Sequence, residues 1–183
     1  DPPARSPDSR HLPAELARQR RACQISRDAH IEAMRYAQPG MHEYQVQAAV
    51  EFVFRSEGSP RDAYPSILAS GPNACILHYV ENQRRMADGD LLLIDAGCEY
   101  GLYASDITRT FPVNGRFSPA QKAIYDIVLE AQEAAFACIK PGNHWNEPHD
   151  AAVRAITQGL VRLGLLKGRV PGLIKEGAYR KFF

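Results

Sequence analysis

The stretch LLLIDAGCEYGLYASDITRTF, residues 91–111, decides how this chain is read. Two runs of strand-forming residues flank the polar break Glu99–Tyr100–Gly101, and each run holds one aspartate, Asp95 and Asp106. Folding the runs back about the Tyr100/Gly101 midpoint predicts a hairpin in which Asp95 faces Asp106 directly. Cross-strand partners hold their Cβ atoms roughly 4.5–5.5 Å apart, and like charges in that relation repel. Aspartate is also a poor strand former. Leu91, Leu93, Asp95 and Gly97 share one face of the first strand, and Leu92, Ile94, Ala96 and Cys98 share the other. Asp95 therefore reads as a buried exception in an apolar strand. A divalent cation that neutralises the pair is the simplest account; solvent-facing strand aspartates are the alternative.

Working outward, apolar residues Ala22, Ile25, Ala29, Ala33 and Tyr36 recur at helical spacing between Pro13 and Gln38, and Pro39–Gly40 stops that helix. A second helix over 43–57 carries Val46, Ala49, Val50, Val53 and Phe54 and ends at Gly58. Strand-like runs follow: AYPSILASG, ACILHYV, DLLLIDAGCEY and LYASDITRTFPVN. Ser118–Pro119–Ala120–Gln121 supplies a cap, a proline at the first helical position and a capping-box glutamine, opening a third helix through Ile124, Ile127, Val128, Ala131, Ala135 and Cys138. A fourth, over 147–163, has Ala152, Val153, Ile156, Leu160 and Leu163 as its apolar face. Helix, Pro-Gly, helix, Gly thus occurs twice, at 14–58 and 119–164, and only the first copy is followed by a long set of strands. The expected organisation is a linker or tail over 1–13, a helix pair and strand layer over 14–117, a second helix pair over 118–164 and a truncated continuation over 165–183.

Composition narrows the function classes. The 183 residues are 45% hydrophobic and 23% charged, enough for a sizeable core, and the formal net charge of +1 gives no field that favours nucleic acid or membrane. Cys23, Cys75, Cys98 and Cys138 are far apart, which suits free thiols in a reducing cytoplasm. No apolar run approaches the roughly 20 residues of a membrane span. Arg18, Arg20 and Arg21 read as a solvated helix face rather than a nucleic-acid surface. His144 and His149 do not share a helical face and no H-E-x-x-H is present, so a zinc site there is disfavoured.

The segments AYPSILASGPNACILHYVEN (63–82), DGDLLLIDAGCEYGLYASDITRTFPVNGRFSPAQKAIYDIVLEA (88–131) and GLVRLGLLKG (159–168) resemble the front half of the catalytic domain of the aminopeptidase P family, the Xaa-Pro aminopeptidases of the pita-bread metallopeptidase superfamily. The resemblance implies an α/β (α+β) fold: half of a pita-bread domain, helices packed on a curved antiparallel β-sheet, with the C-terminal pseudo-repeat missing. It implies two divalent metal ions, most often Mn²⁺ with Co²⁺ or Zn²⁺ possible, bound by two Asp, one His and two Glu. Asp95 and Asp106 match the aspartates, Asp95 chelating one ion and Asp106 bridging both; the histidine and glutamates of the family pattern fall past Phe183. His78 matches a histidine that lines the substrate cleft and hydrogen-bonds near the scissile bond, which implies a catalytic role in positioning substrate or binding the oxyanion rather than in ligating metal. Tyr64 matches another cleft-lining, substrate-binding position.

On pattern alone, His78 reads more readily as a core or edge histidine in a strand than as a catalytic group. Thr108, two residues after Asp106, reads as a hydrogen-bond partner for a metal-bound carboxylate or as a β-branched strand filler. The expected activity is release of an N-terminal residue that precedes proline, with a proline-containing peptide as partner, a homo-oligomer as assembly, and neither nucleic acid nor membrane engaged. An Xaa-Pro dipeptidase, a methionine aminopeptidase relative or a non-catalytic peptide-binding module of the same fold are the alternatives. The isolated piece is expected to be inactive.

Overall fold

The computed structural model describes residues 13–182, so most of the 1–13 tail lies outside the described residues. The chain forms two compact units, the first reaching Arg116 and the second starting at Phe117.

In the first unit, α1 (Pro13–Tyr36) and α2 (Glu43–Ser56) precede six short strands: β1 (Arg61–Asp62), β2 (Ile67–Ser70), β3 (Leu91–Ala96), β4 (Cys98–Tyr100), β5 (Tyr103–Ala104) and β6 (Ile107–Pro112). All pairings are antiparallel, in two three-stranded sheets ordered β1-β4-β5 and β2-β3-β6. The expected helical stripe is the buried one: Ala22, Ile25, Ala29 and Ala33 of α1 and Val46, Val50 and Phe54 of α2 are fully enclosed. They form one cluster with Leu68, Leu92, Ile94, Ala96 and Cys98 from the strands. Three alanines on the α1 stripe leave room for the larger side chains opposite, each of which contributes about 1.5–3 kcal/mol on burial. Tyr36 departs from the expectation and is 45% exposed at the helix end.

The predicted ACILHYV strand is absent. Residues 71–90 instead leave the sheet through a 3₁₀ turn (Gly71–Cys75) and irregular chain, returning at β3. His78 (φ 55°) and Asn82 (φ 50°) are left-handed, a conformation no strand can hold. Asn82 is buried and fixes this backbone, its Oδ1 accepting from Leu68 N and its Nδ2 donating to Ser66 O and Gln47 Oε1. Apolar content suggested a strand here; polar anchoring to α2 and β2 overrides it.

The second unit contains α3 (Pro119–Cys138), α4 (Glu147–Arg162) and the short α5 (Val170–Lys175). The capping box reads as expected: Ser118 Oγ accepts from Gln121 N at 3.3 Å, and Gln121 Oε1 accepts from Ser118 N at 2.9 Å. Ile127 and Ala131 of α3 and Val153, Thr157, Gly159 and Leu160 of α4 are buried, whereas Ile124 and Val128 are partly open to solvent.

Candidate metal centre

The hairpin that carries the aspartates has a different register from the one predicted. Its turn is Gly101–Leu102, with φ of 57° and 71°, between the paired residues Tyr100 and Tyr103. A two-residue turn with both central φ values positive matches the twist of antiparallel strands, as a type I′ turn does. This places the fold one residue beyond the Tyr100/Gly101 midpoint. Asp95 consequently pairs with Thr108 on one side and Ile67 on the other. Asp106 is not directly opposite Asp95; it falls just before β6, beside Gly97.

Gly97 is where the two sheets separate. A Cβ there would lie 1.8 Å from the Ser105 carbonyl oxygen and 3.2 Å from Asp106 Cα, so only glycine permits this approach of the strands. Beneath it, Ser105 Oγ lies 2.7 Å from Ser26 Oγ and 3.1 Å from Cys98 N, which closes the polar groups freed where the ladder breaks. On the other side, Ala63 N donates to Gly97 O at 2.8 Å and brings the segment carrying Tyr64 alongside.

Tyr64 joins the pair. Its hydroxyl lies 2.6 Å from Asp95 Oδ1 and 2.9 Å from Asp106 Oδ1, so both carboxylates converge on one oxygen atom. Burial first, and then the hydrogen bonds to and charges of Asp95 and Asp106, hold the phenol well above its ordinary range. It is a neutral donor at any physiological pH. A single O–H proton serves two acceptors poorly, and the carboxylates keep lone pairs free for a cation.

The face alternation is as expected, but Asp95 is half-buried rather than enclosed, and Asp106 and Thr108 are exposed. Leu92, Ile94 and Ala96 form the enclosed face, while Leu91, Leu93 and Asp95 form the open one. Part of that open face is covered: Tyr79 packs with Ile67 and Ala69, against Ala74 and Leu93. The loop bearing His78 thus folds over the sheet face that carries Asp95. His78 itself is exposed in its left-handed turn, not in a strand.

The donor chemistry of the pair fits part of a hard-cation site. Two carboxylates that approach one point suit divalent ions that favour oxygen. They do not complete one: among the described residues, no three His, Cys, Asp or Glu side chains gather to hold a metal. His144 and His149 are exposed at the α4 start, in keeping with the solvated reading. Arg18 and Arg20 are exposed too, and Arg21 binds Glu57 at 2.7 Å. An open groove of about 420 Å³ between α3 and α4, lined in part by Cys138, Glu147, Asp150 and Arg154, holds none of the predicted residues.

Sequence reasoning missed Glu43, which is fully buried at the start of α2 and accepts five hydrogen bonds. As an acidic residue in a first helical turn it looks like a dipole partner. Nothing local distinguishes it from an exposed one.

The model of metallopeptidase family M24 matches residues 17–182. This chain belongs to metallopeptidase family M24. Among curated relatives, it is 50% identical over 171 residues to the Xaa-Pro aminopeptidase of Escherichia coli and 48% identical to that of Haemophilus influenzae, each match covering 93% of the chain. Among solved structures, aminopeptidase PepP of Pseudomonas aeruginosa superposes with a TM-score of 0.92 at 58% identity, covering 93% of this chain and 38% of that one. A zinc-substituted E. coli aminopeptidase P in complex with product gives 0.92 at 50% identity, covering 94% and 39%. The M24 chain therefore spans about 40% of the length of the curated relatives it matches. Its mixture of helices and antiparallel strands is that of half a pita-bread fold. No helix among the described residues is long and apolar enough to cross a membrane.

Proposed function

We propose that this chain is the front part of the catalytic domain of a dinuclear metal-dependent exopeptidase, one that releases the N-terminal residue from peptides with proline in second position. The observation that carries the reading is the convergence of Asp95 and Asp106 on the Tyr64 hydroxyl, within a fold shared with aminopeptidase P structures. Asp95 and Asp106 would hold the ions, and the remaining ligands would come from outside the described residues. Bound divalent metal, Mn²⁺ by preference with Co²⁺ or Zn²⁺ as substitutes, supplies water activation and stabilisation of the tetrahedral oxyanion.

The chain's own residues set the geometry. Gly97 and Ser105 bring the two carboxylates together, and Tyr64 lines the cleft beside them, its hydroxyl on both Oδ1 atoms until a cation takes its place. Thr108, as the ladder partner of Asp95, can donate its hydroxyl to that carboxylate. His78, on the loop that folds over the Asp95 face, lines the cleft and donates to the peptide near its scissile bond. Proline has no amide N–H and a fixed φ, so recognising it requires shape rather than a hydrogen bond. Four free cysteines, two of them exposed, support a cytoplasmic setting. The exposed Leu77, Leu102 and Trp145 support association into a homo-oligomer.

The test is made on the complete protein that carries this chain. Asp95→Asn and Asp106→Asn should each lower bound metal and reduce Xaa-Pro peptide cleavage by at least about 10²-fold, as loss of a principal electrostatic group does. Full metal content and full activity in either variant would remove the proposal. A panel of Xaa-Pro dipeptides, longer Xaa-Pro peptides and Met-initiated peptides assigns the substrate class, and turnover of none of them would mark a binding module.

A further inference from the structure

Glu43 is a charge with no exposure to solvent, at the first position of α2. Burying an unpaired carboxylate costs several kcal/mol. Here all the compensation comes from one segment. Oε1 accepts from Ser70 N (2.7 Å), Ser70 Oγ (2.6 Å) and Asn73 Nδ2 (3.3 Å). Oε2 accepts from Tyr79 Oη (2.8 Å) and Arg84 N (3.0 Å). Ser70 opens the excursion that carries His78, Tyr79 is the residue after that histidine, and Arg84 lies at its return. One carboxylate therefore ties the beginning, middle and end of the loop to the helix. Arg84 strengthens the closure, with Nη1 donating to Ser70 Oγ at 2.8 Å and to Asp90 Oδ2 at 2.5 Å.

We propose that Glu43 is a positioning residue for the peptidase reaction, acting through His78 by fixing the loop between Ser70 and Arg84 over the Asp95 face of the sheet. The inference rests on the reading of His78 given above. Two further observations support it. His78 holds a left-handed backbone at φ 55°, which a non-glycine residue keeps only where its surroundings over-determine it. Tyr79 packs its ring on Ile67 and Ala69, neighbours of Asp95 on the open face, while its hydroxyl reaches Glu43. A buried charge is a poor source of stability next to an apolar replacement. Five donors converging on it give one fixed geometry, which is what a loop presenting a substrate-binding side chain requires.

The experiment uses the complete protein with Glu43→Gln and Tyr79→Phe, each alone and combined with His78→Ala. Tyr79→Phe keeps the ring packing and removes one tether, so it serves if Glu43→Gln does not fold. Hydrogen exchange over residues 71–84 should accelerate about tenfold or more in either variant, the effect of one lost charge-assisted bond. Each variant should lower kcat/KM for an Xaa-Pro peptide about tenfold with His78 present, and by less than about twofold in the His78→Ala background, because coupled residues are non-additive. Unchanged exchange over 71–84 overturns the proposal, as do equal losses in both backgrounds. If His78→Ala alone leaves kcat/KM intact, the reading of His78 fails and the positioning role is overturned with it, while the exchange data report separately whether Glu43 anchors the loop.

Discussion

Asp95 pairs across the β3–β6 ladder with Thr108, leaving Asp106 one residue short of β6 and beside Gly97. From this offset the two carboxylates still converge on the Tyr64 hydroxyl, because the strands cross closely at a residue with no side chain. Gly97→Ala tests this directly. The new Cβ would overlap the Ser105 carbonyl oxygen at 1.8 Å, and neither partner is a flexible side-chain end. A loss of about 3 kcal/mol or more is expected, since strain against backbone exceeds ordinary overpacking. For a chain of this size that lowers the melting temperature by roughly 6–12 °C. Thermal unfolding followed by circular dichroism checks it, and a variant melting within a degree or two of the parent would show that the crossing can widen freely.

A second prediction concerns pH. Burial pushes the Asp90 carboxyl up, but the Arg84 hydrogen bond, the Ala87 N–H and the Arg84 charge together outweigh it and leave it below the ordinary carboxylate range. A depressed carboxylate binds its proton more weakly in the folded state than in the unfolded one. Its stabilisation is therefore complete above the unfolded value of about 3.9 and is lost as pH falls through the lower folded value. Asp90→Asn should cost about 1.5–3 kcal/mol at pH 7, the range for a charged hydrogen bond, and should flatten stability between about pH 5 and 2. Urea denaturation midpoints across that window are the measurement. Parallel curves for parent and variant would show that Asp90 does not carry the acid sensitivity.

Much of this fold was legible because helical spacing and caps are local signals. The Ala22–Ala33 and Val46–Phe54 stripes, the Pro-Gly stops and the Ser118 capping box need only neighbours within one turn. Asp95 stands out in the sequence because an acid in an apolar strand conflicts with strand chemistry, whereas Asp106 lies just outside β6. The register was not legible: it turns on whether Gly101 is the second residue of the fold or the first of a two-residue turn, and Leu102 gives no hint that it will accept a positive φ. The ACILHYV segment inside the 71–90 loop hides its path for a related reason. Its residues are apolar enough for a strand, but Glu43 and Asn82 decide its path, and their partners lie far away in sequence. Tyr64 was placed through resemblance; its contact with both carboxylates depends on a backbone bond from Ala63 to Gly97 that no sequence pattern encodes.

Tyr64 occupies the oxygen position toward which both carboxylates point, so a cation binding those same Oδ1 atoms must displace its hydrogen bonds. Tyr64→Phe removes that competitor while keeping the ring. In the complete protein stripped of metal, the variant should take up the first Mn²⁺ about three- to tenfold more tightly, the equivalent of a net hydrogen bond of 0.5–1.5 kcal/mol. Electron paramagnetic resonance of free Mn²⁺ gives the binding curve directly. Weaker binding would mean instead that the hydroxyl orients the carboxylates for the ion.

The second unit offers a test independent of the candidate metal centre. Gly159 of α4 is buried, and a Cβ there would come within 2.5–2.7 Å of three side-chain atoms of Ile127 on α3. Alanine is worth about 1 kcal/mol more than glycine in a helix interior, so propensity alone predicts that Gly159→Ala stabilises. The clash predicts the opposite, at about 1–3 kcal/mol, because a close-packed helix pair has nowhere to move the isoleucine. The second effect should win, giving a net loss. Ile127→Ala alone should cost about 2–5 kcal/mol by opening a cavity beside the glycine. In the double variant the alanine at 159 no longer meets those atoms and partly fills the space they left. The two changes should therefore cost about 1–3 kcal/mol less together than the sum of their separate effects. Denaturant unfolding of all four proteins closes the cycle; strictly additive losses would show that α3 and α4 are not in contact at Gly159 in solution.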